Sequence, residues 1–256
     1  MLRKLVAVAG TAFFLVFISI TALAADSPPI VEAYGCNFVD GKGMADLDAV
    51  AEYYASNRSK IDSPELQKLR SVVWTPFRGS VDVDLVWFNS NVTLNEWGSL
   101  TDAYESSSVG RDIQAKFDAV ALCETSGLYT NEVLLRTDKQ FEQDDGVMIE
   151  SFRCEYRPGQ GVVDSDAAIA AWKPVFEKAV SATNSAAFVA RRQPIISGSG
   201  FDLGYLVVWD DATAYAEGNS AYRADPDSAE ADGLFAAAHR CRSALFNGRI
   251  IVPAPE

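Results

Sequence analysis

Two cysteine-containing segments recur along the chain at one fixed spacing. Gly35-Cys36-Asn37-Phe38 is followed 118 positions later by Arg153-Cys154-Glu155-Tyr156, and Cys123 and Cys241 are separated by the same 118 positions. Without a gap, this offset also aligns Asp84 with Asp202 and Trp87 with Tyr205. A chance match would not keep one register over this length, so the chain consists of two copies of one unit.

Within each copy, the hydrophobic pattern predicts strands and helices in the order β-α-β-β-α-β. Val81–Asn89, for example, alternates as a strand does, whereas Met44–Ile61 has apolar residues at helical spacing. This order is the split β-α-β unit of ferredoxin-like topology. In the first copy the other predicted strands are Pro29–Phe38, Arg70–Phe77 and Leu128–Leu135.

The N-terminus has the pattern of an export signal. Arg3 and Lys4 precede an almost wholly apolar run that ends in Ala22-Leu23-Ala24, a small-x-small cleavage site. We expect cleavage after Ala24 and a periplasmic or extracellular protein; an uncleaved anchor is the alternative, because the run approaches membrane-spanning length. The predicted division is 1–24 signal peptide, 25–136 first unit, 137–146 linker and 147–256 second unit.

The charge of the chain narrows its range of partners. Its formal net charge is −13, whereas nucleic acids and anionic membrane surfaces attract basic proteins. We therefore expect no nucleic-acid partner and no membrane association after signal cleavage. A small organic ligand is the expected partner.

The four cysteines indicate disulfide bonds, because exported chains fold in an oxidising compartment. Of the three pairings that four cysteines allow, only Cys36 with Cys123 and Cys154 with Cys241 gives each copy its own bridge. A metal site is the competing interpretation. The chain has no CxxC spacing and one histidine, so we expect no metal and no other cofactor.

The duplication, the element order and the length resemble the α/β-barrel proteins in which two ferredoxin-like units pack their sheets into a barrel. The antibiotic-biosynthesis monooxygenase-like, NIPSNAP-like and stress-responsive proteins belong to this group, and the cysteine pattern resembles that of secreted bacterial members. The resemblance implies an α+β fold with two tandem units. One chain would then supply both halves of the barrel, which favours a monomeric pseudo-dimer over an obligate oligomer.

Acidic, aromatic and basic side chains are the candidate pocket residues. We place Asp84 and Asp202 inside the third strand of each copy, where an acid is either a pocket group or part of a structural hydrogen-bonded pair; its presence in both copies favours structure. Arginine beside aromatic rings suits a flat or anionic ligand, although the alternative is core aromatics and solvated arginines. These candidates are Trp74, Trp87, Arg192 and Tyr205.

His239 is the only histidine and the remaining candidate ligand or base. We place it on a helix, where it points roughly 200° away from Cys241 on the apolar side. An exposed or rim position is therefore expected.

These observations favour a secreted barrel that binds a small molecule or has a structural role, without a catalytic set. The alternative is a cofactor-free oxygenase- or isomerase-like enzyme that uses a cavity between the sheets. Haem binding through His239 is a further alternative. The known members of the fold group have diverse activities, so the fold does not decide among these functions.

Overall fold

A computed structural model describes residues 28–139, 146–183, 187–197 and 200–253. The predicted signal peptide and most of the predicted linker lie outside these residues. Within them, eight strands form in chain order. They are β1 (Pro29–Phe38), β2 (Arg70–Arg78), β3 (Leu85–Thr93), β4 (Ala121–Arg136), β5 (Val147–Tyr156), β6 (Ala187–Ser197), β7 (Leu203–Trp209) and β8 (His239–Val252).

Four α-helices lie in the first half of the described chain and three in the second. They are α1 (Met44–Asn57), α2 (Pro64–Lys68), α3 (Leu94–Ser106), α4 (Ser108–Asp118), α5 (Val162–Thr183), α6 (Ala212–Ala224) and α7 (Ser228–Ala238). None of the helices in the described ranges has the length and apolar character that a membrane crossing requires.

The strands close into one antiparallel barrel in the order β1-β3-β2-β8-β5-β7-β6-β4. Each half contributes the ferredoxin-like order, and the halves join along two seams, β2 with β8 and β4 with β6. The predicted α+β fold, with two tandem units packed as a barrel, is therefore confirmed. Closure leaves no sheet edge unpaired around the barrel.

Successive side chains along each strand point to opposite faces of the sheet, so one set lies inside the barrel and the other set faces the helices. Residues from seven strands and from no helix form the interior cluster. Its buried members are Val31, Trp74, Val86, Phe88, Ile149, Ala190, Leu206 and Phe246. The opposite faces pack against α1–α4 in the first half and α5–α7 in the second.

Both predicted disulfides are present. Cys36 is bonded to Cys123, and Cys154 to Cys241, each pair being direct cross-strand neighbours with Cα atoms 3.9 and 4.0 Å apart. The bridges therefore join the first and last strands of each half, where the topology brings the cysteines together. The sequence separation is 87 residues in both.

Asp84 and Asp202 lie one residue before β3 and β7, so their predicted placement inside a strand is wrong. Asp84 Oδ2 accepts the Phe38 backbone N–H at 2.9 Å, and Asp202 Oδ2 accepts the Tyr156 N–H at 2.7 Å. The same bond in both halves fixes the turn into the strand. The alternating pattern predicts that this strand begins at Val81, but β3 begins at Leu85. Val81 and Val83 are loop residues that pack on the barrel interior.

Candidate functional site

A cavity of about 500 Å³ lies between the outer face of the second-half strands and helices α5, α6 and α7. We call it the second-half cavity. Ring side chains form much of its wall, namely those of Phe152, Trp172, Phe176, Tyr205, Trp209, Tyr222 and Phe235. Its polar lining consists of Glu150, Arg157, Asn219, Arg223, Asp232, His239 and Arg240. The volume is within the range typical of small-molecule sites.

The corresponding part of the first half has a different set of side chains. Tyr54, Trp87 and Tyr104 belong to its core, and Leu100 stands where the second half has Gly218. Gly218 allows the Trp209 ring to lie against α6, because a Cβ at this position would be 2.2 Å from Cη2 of the tryptophan. Trp209 is 1% exposed, and its Nε1 has no hydrogen-bond partner in the described chain.

Glu150 is the acid on the inner side of this cavity. It lies on β5 opposite Val207 of β7, and its carboxylate has no hydrogen bond or ion pair with any described residue. Burial raises the pKa of Glu150 to about 6, although the nearby Arg223 opposes the shift. An acid with this pKa changes charge close to neutral pH.

His239 is buried rather than exposed, with 2% of its surface accessible. The predicted rim position is wrong because α7 ends at Ala238 and His239 begins β8 with extended backbone angles. In a strand, residues i and i+2 point to the same side. His239 and Cys241 therefore both face the cavity instead of opposite directions.

A chain of hydrogen bonds connects His239 to polar groups behind the cavity wall. His239 Nδ1 lies 3.2 Å from the Phe235 carbonyl oxygen, which can only accept, so Nδ1 carries the proton. Nε2 then accepts from Tyr205 Oη at 3.4 Å, and Tyr205 Oη accepts from Ser165 Oγ at 2.7 Å. Arg191 donates to Ser165 at 3.5 Å.

Burial governs the ionisation of both ring side chains in this chain of bonds. It lowers the pKa of His239, an effect to which the charge of Arg191 adds, and it raises the pKa of Tyr205 to about 12. Both groups are therefore neutral at pH 7. His239 is an acceptor already engaged by Tyr205, which makes it a positioning element of the wall.

Trp74 and Arg192 lie together inside the barrel, away from the second-half cavity. The Arg192 guanidinium carbon is 4.9 Å from the centre of the Trp74 ring and 4.7 Å from that of Phe88, so it is enclosed by two aromatic faces. Burial lowers the pKa of Arg192 to about 10, and its Nε has no partner in the described chain. Arg192 is therefore packed against the aromatic side chains of the barrel interior.

Besides Asp84 and Asp202 in the turns before β3 and β7, the sequence candidates are divided among three places. Tyr205 and His239 line the second-half cavity, Trp74 and Arg192 lie in the barrel interior, and Trp87 packs in the first-half core with its Nε1–H donated to Asn89 at 2.8 Å. The second-half cavity lies between a sheet and its helices, whereas the enzyme alternative uses a cavity between the sheets.

Glu150 is not among the candidates predicted from the sequence. The sequence does contain a feature that points to it: the 118-residue offset aligns Glu150 with Glu32, so both copies have an acid in the first predicted strand. An acid inside a strand is unfavourable unless a partner or a function retains it. What the sequence could not show is that the two acids have different surroundings.

Haem is the cofactor that the third sequence hypothesis requires, and the cavity residues do not fit it. A metal-binding imidazole needs a nitrogen lone pair aimed at open space. His239 Nε2 instead accepts from Tyr205, and the rings of Tyr156, Tyr205 and Phe235 surround the imidazole with centroids 5.8, 5.6 and 4.8 Å away. In the described ranges, no group of three or more His, Cys, Asp or Glu side chains is arranged to hold a metal.

Comparison with solved structures identifies the architecture. A chlorite dismutase-like protein superposes with a TM-score of 0.53 at 11% identity, covering 89% of this chain and 96% of its own. A monooxygenase-like protein from Fusobacterium nucleatum subsp. nucleatum gives 0.54 at 12% identity, with coverages of 88% and 94%. The chain has the dimeric α/β-barrel fold.

A third solved structure, an anthrone oxidase-like protein, matches this dimeric α/β barrel with a TM-score of 0.52 at 15% identity, covering 90% of this chain and 96% of its own. No protein-family model matches the sequence, and no curated protein matches it. At these identities the similarity concerns the fold alone, so the function has to be inferred from the cavity itself.

Proposed function

We propose that this dimeric α/β barrel is an exported binding protein for a small aromatic molecule held in the second-half cavity. The observation that carries the proposal is the cavity of about 500 Å³ with a largely aromatic wall. At the equivalent positions of the first half, Tyr54 and Arg58 stand in place of Trp172 and Phe176, although both halves are copies of one unit. Keeping such a space costs packing energy, which a bound ligand offsets.

Export is supported by the N-terminal signal pattern and by the two disulfides, which persist in oxidising compartments. Both barrel seams form within one chain, so the second half obtains its partner sheet from the first. We therefore propose a monomer that acts as its own pseudo-dimer.

Isothermal titration calorimetry with 3-ethylindole, a flat neutral probe, tests the binding proposal. The wild-type protein without residues 1–24 should bind the probe with a negative heat-capacity change, because apolar surface is buried. Val207→Trp places a large ring in the cavity and should weaken binding at least tenfold, while far-UV circular dichroism verifies its fold. Absence of binding to the wild type, or equal binding to the folded variant, would contradict the proposal.

Proton transfer on a bound aromatic ketone is a second candidate function, favoured by the unpaired, partly buried Glu150 in a cavity with a largely aromatic wall. An ionised carboxylate there could take a proton from the carbon next to a carbonyl. The test is deuterium exchange at that carbon of phenylacetone, followed by nuclear magnetic resonance in D₂O. Enzyme-dependent exchange that Glu150→Gln abolishes would support it, and an exchange rate equal to that of buffer would exclude it for this probe.

A further inference from the structure

Glu150 and its first-half equivalent Glu32 occupy the same place in the fold but differ in their partners. Glu32 Oε1 accepts the Trp97 Nε1–H at 2.9 Å, and Oε2 accepts the Asn89 Nδ2–H at 3.1 Å. Each carboxylate oxygen of Glu32 thus has a nitrogen donor. Glu150 has none in the described chain.

Neither of these two donors is present at the equivalent position of the second half. The strand neighbour Asn89 is replaced by Val207, which has no donor, and Trp97 on α3 is replaced by Tyr215 on α6. The Tyr215 hydroxyl makes no hydrogen bond to Glu150 among the described contacts, although the two groups interact electrostatically. An acid without donors in an apolar space is unfavourable by itself.

We propose that Glu150 is the polar anchor of the second-half cavity and that the ligand is an aromatic compound carrying a protonated amine. This inference rests on the proposed binding function. The ligand ammonium supplies the N–H donors that Trp97 and Asn89 supply to Glu32, and the ring lies among the aromatic side chains of the wall. Charge-assisted hydrogen bonds of this kind are the strong ones.

The other charged groups of the cavity are less suited to anchor the ligand. Arg240 pairs with Glu155, and Arg157 Nε donates to the Ala236 carbonyl. Asp232 accepts the Tyr222 hydroxyl at 2.8 Å. These three, like Arg223, are exposed at the rim, whereas Glu150 is partly buried. An anionic ligand group would therefore meet the Glu150 carboxylate inside, and a cationic group is favoured.

Three indole compounds of similar size separate the amine preference from binding of the ring. Tryptamine is cationic, 3-ethylindole is neutral and indole-3-propionate is anionic, and each is titrated calorimetrically into the wild type, Glu150→Gln and Glu32→Gln at pH 7.5. In the wild type, tryptamine should bind at least about tenfold more tightly than 3-ethylindole, with indole-3-propionate weakest. Glu150→Gln should lower the tryptamine affinity to about that of 3-ethylindole and so remove this preference.

Glu32→Gln is the matched control, because it makes the same substitution at the equivalent position of the first half, where the acid has its own donors. It should keep the tryptamine preference. Equal binding of tryptamine and 3-ethylindole by the wild type, or a preference that survives in Glu150→Gln, would overturn the amine assignment while leaving the binding proposal in place. If none of the three compounds binds, both proposals are wrong.

Discussion

At the scale of single residues, Glu150 should reduce the stability of the folded protein at neutral pH. Burial raises its pKa from 4.5 to about 6, so the folded state binds a proton more strongly than the unfolded state does. The resulting destabilisation develops between pH 4.5 and 6 and is complete above pH 6. Glu150→Gln should therefore raise the free energy of unfolding at pH 7.5 by about 1 kcal/mol, a value reduced for partial solvent screening.

Urea unfolding at pH 4 and pH 7.5 checks this prediction, since the gain should be nearly absent at the lower pH. Glu32→Gln should act in the opposite direction and lower the free energy of unfolding by about 1–3 kcal/mol, because the amide cannot accept from both Trp97 and Asn89. Destabilisation by Glu150→Gln at pH 7.5 would mean that Glu150 has an internal partner.

The same ionisation should make amine binding dependent on pH. Tryptamine stays protonated from pH 5 to pH 7.5, whereas Glu150, with a pKa of about 6, loses most of its charge at pH 5. Arg223, which lowers this pKa, and Tyr215 are the ionisable groups that act on Glu150, and neither changes charge in the interval. Calorimetry should show about tenfold weaker tryptamine binding at pH 5 than at pH 7.5; 3-ethylindole affinity should stay constant.

At the scale of secondary-structure elements, the position of a helix end decided the environment of His239. The sequence interval Ala229–Arg242 has a helical apolar pattern, yet α7 ends at Ala238 and the chain continues directly into β8. No glycine or proline marks this junction, and strand pairing with β5 outweighs local propensity there. A shift of a few residues in a boundary thus reverses the direction of a side chain, which sequence periodicity cannot resolve.

Two glycines in neighbouring helices provide a matched test of the cavity wall. Gly218→Ala in α6 would place a Cβ 2.2 Å from the Trp209 ring, so it should cost about 1–3 kcal/mol of stability and push the ring toward the cavity. Gly233→Ala in α7 meets no atom within 4 Å and should stabilise by about 0.5–1 kcal/mol.

Thermal unfolding of both glycine variants and calorimetry with 3-ethylindole supply the measurements. Weaker binding is expected for Gly218→Ala, and unchanged binding for Gly233→Ala. Stabilisation by Gly218→Ala would show that the Trp209 ring can move away without loss, and that the contact with α6 does not shape the cavity.

At the scale of the whole molecule, the duplication made the architecture predictable from the sequence. It did not make the site predictable, because the residues that the two halves share are structural. Features kept in both halves, such as the cysteines and the Asp84 and Asp202 turns, are structural, and they established the register of the repeat. The halves differ around the second-half cavity, as where Gly218, which contacts the lining residue Trp209, takes the place of Leu100. Whether such a difference leaves space or is filled by a neighbour depends on packing in three dimensions.

The two disulfides can distinguish global stability from the integrity of the cavity. Both close loops of 87 residues, so the chain-entropy model assigns each about 4–5 kcal/mol, equal in the two halves. Replacing Cys36 and Cys123 together by serine should lower the free energy of unfolding by about 2–5 kcal/mol, and replacing Cys154 and Cys241 should have the same effect to within about 1 kcal/mol.

Ligand affinity should nevertheless respond to one bridge only. Cys241 lines the cavity, two residues after His239 on β8, and its partner Cys154 is on β5 with Glu150. Loss of this bridge loosens the pair of strands that forms the cavity floor, whereas loss of the first-half bridge acts at a distance. With both variants folded at 10 °C, calorimetry should find 3-ethylindole binding weakened several-fold for the Cys154 and Cys241 variant alone. Equal weakening in both would mean that the halves are mechanically coupled through the barrel, and that the cavity depends on the stability of the whole molecule.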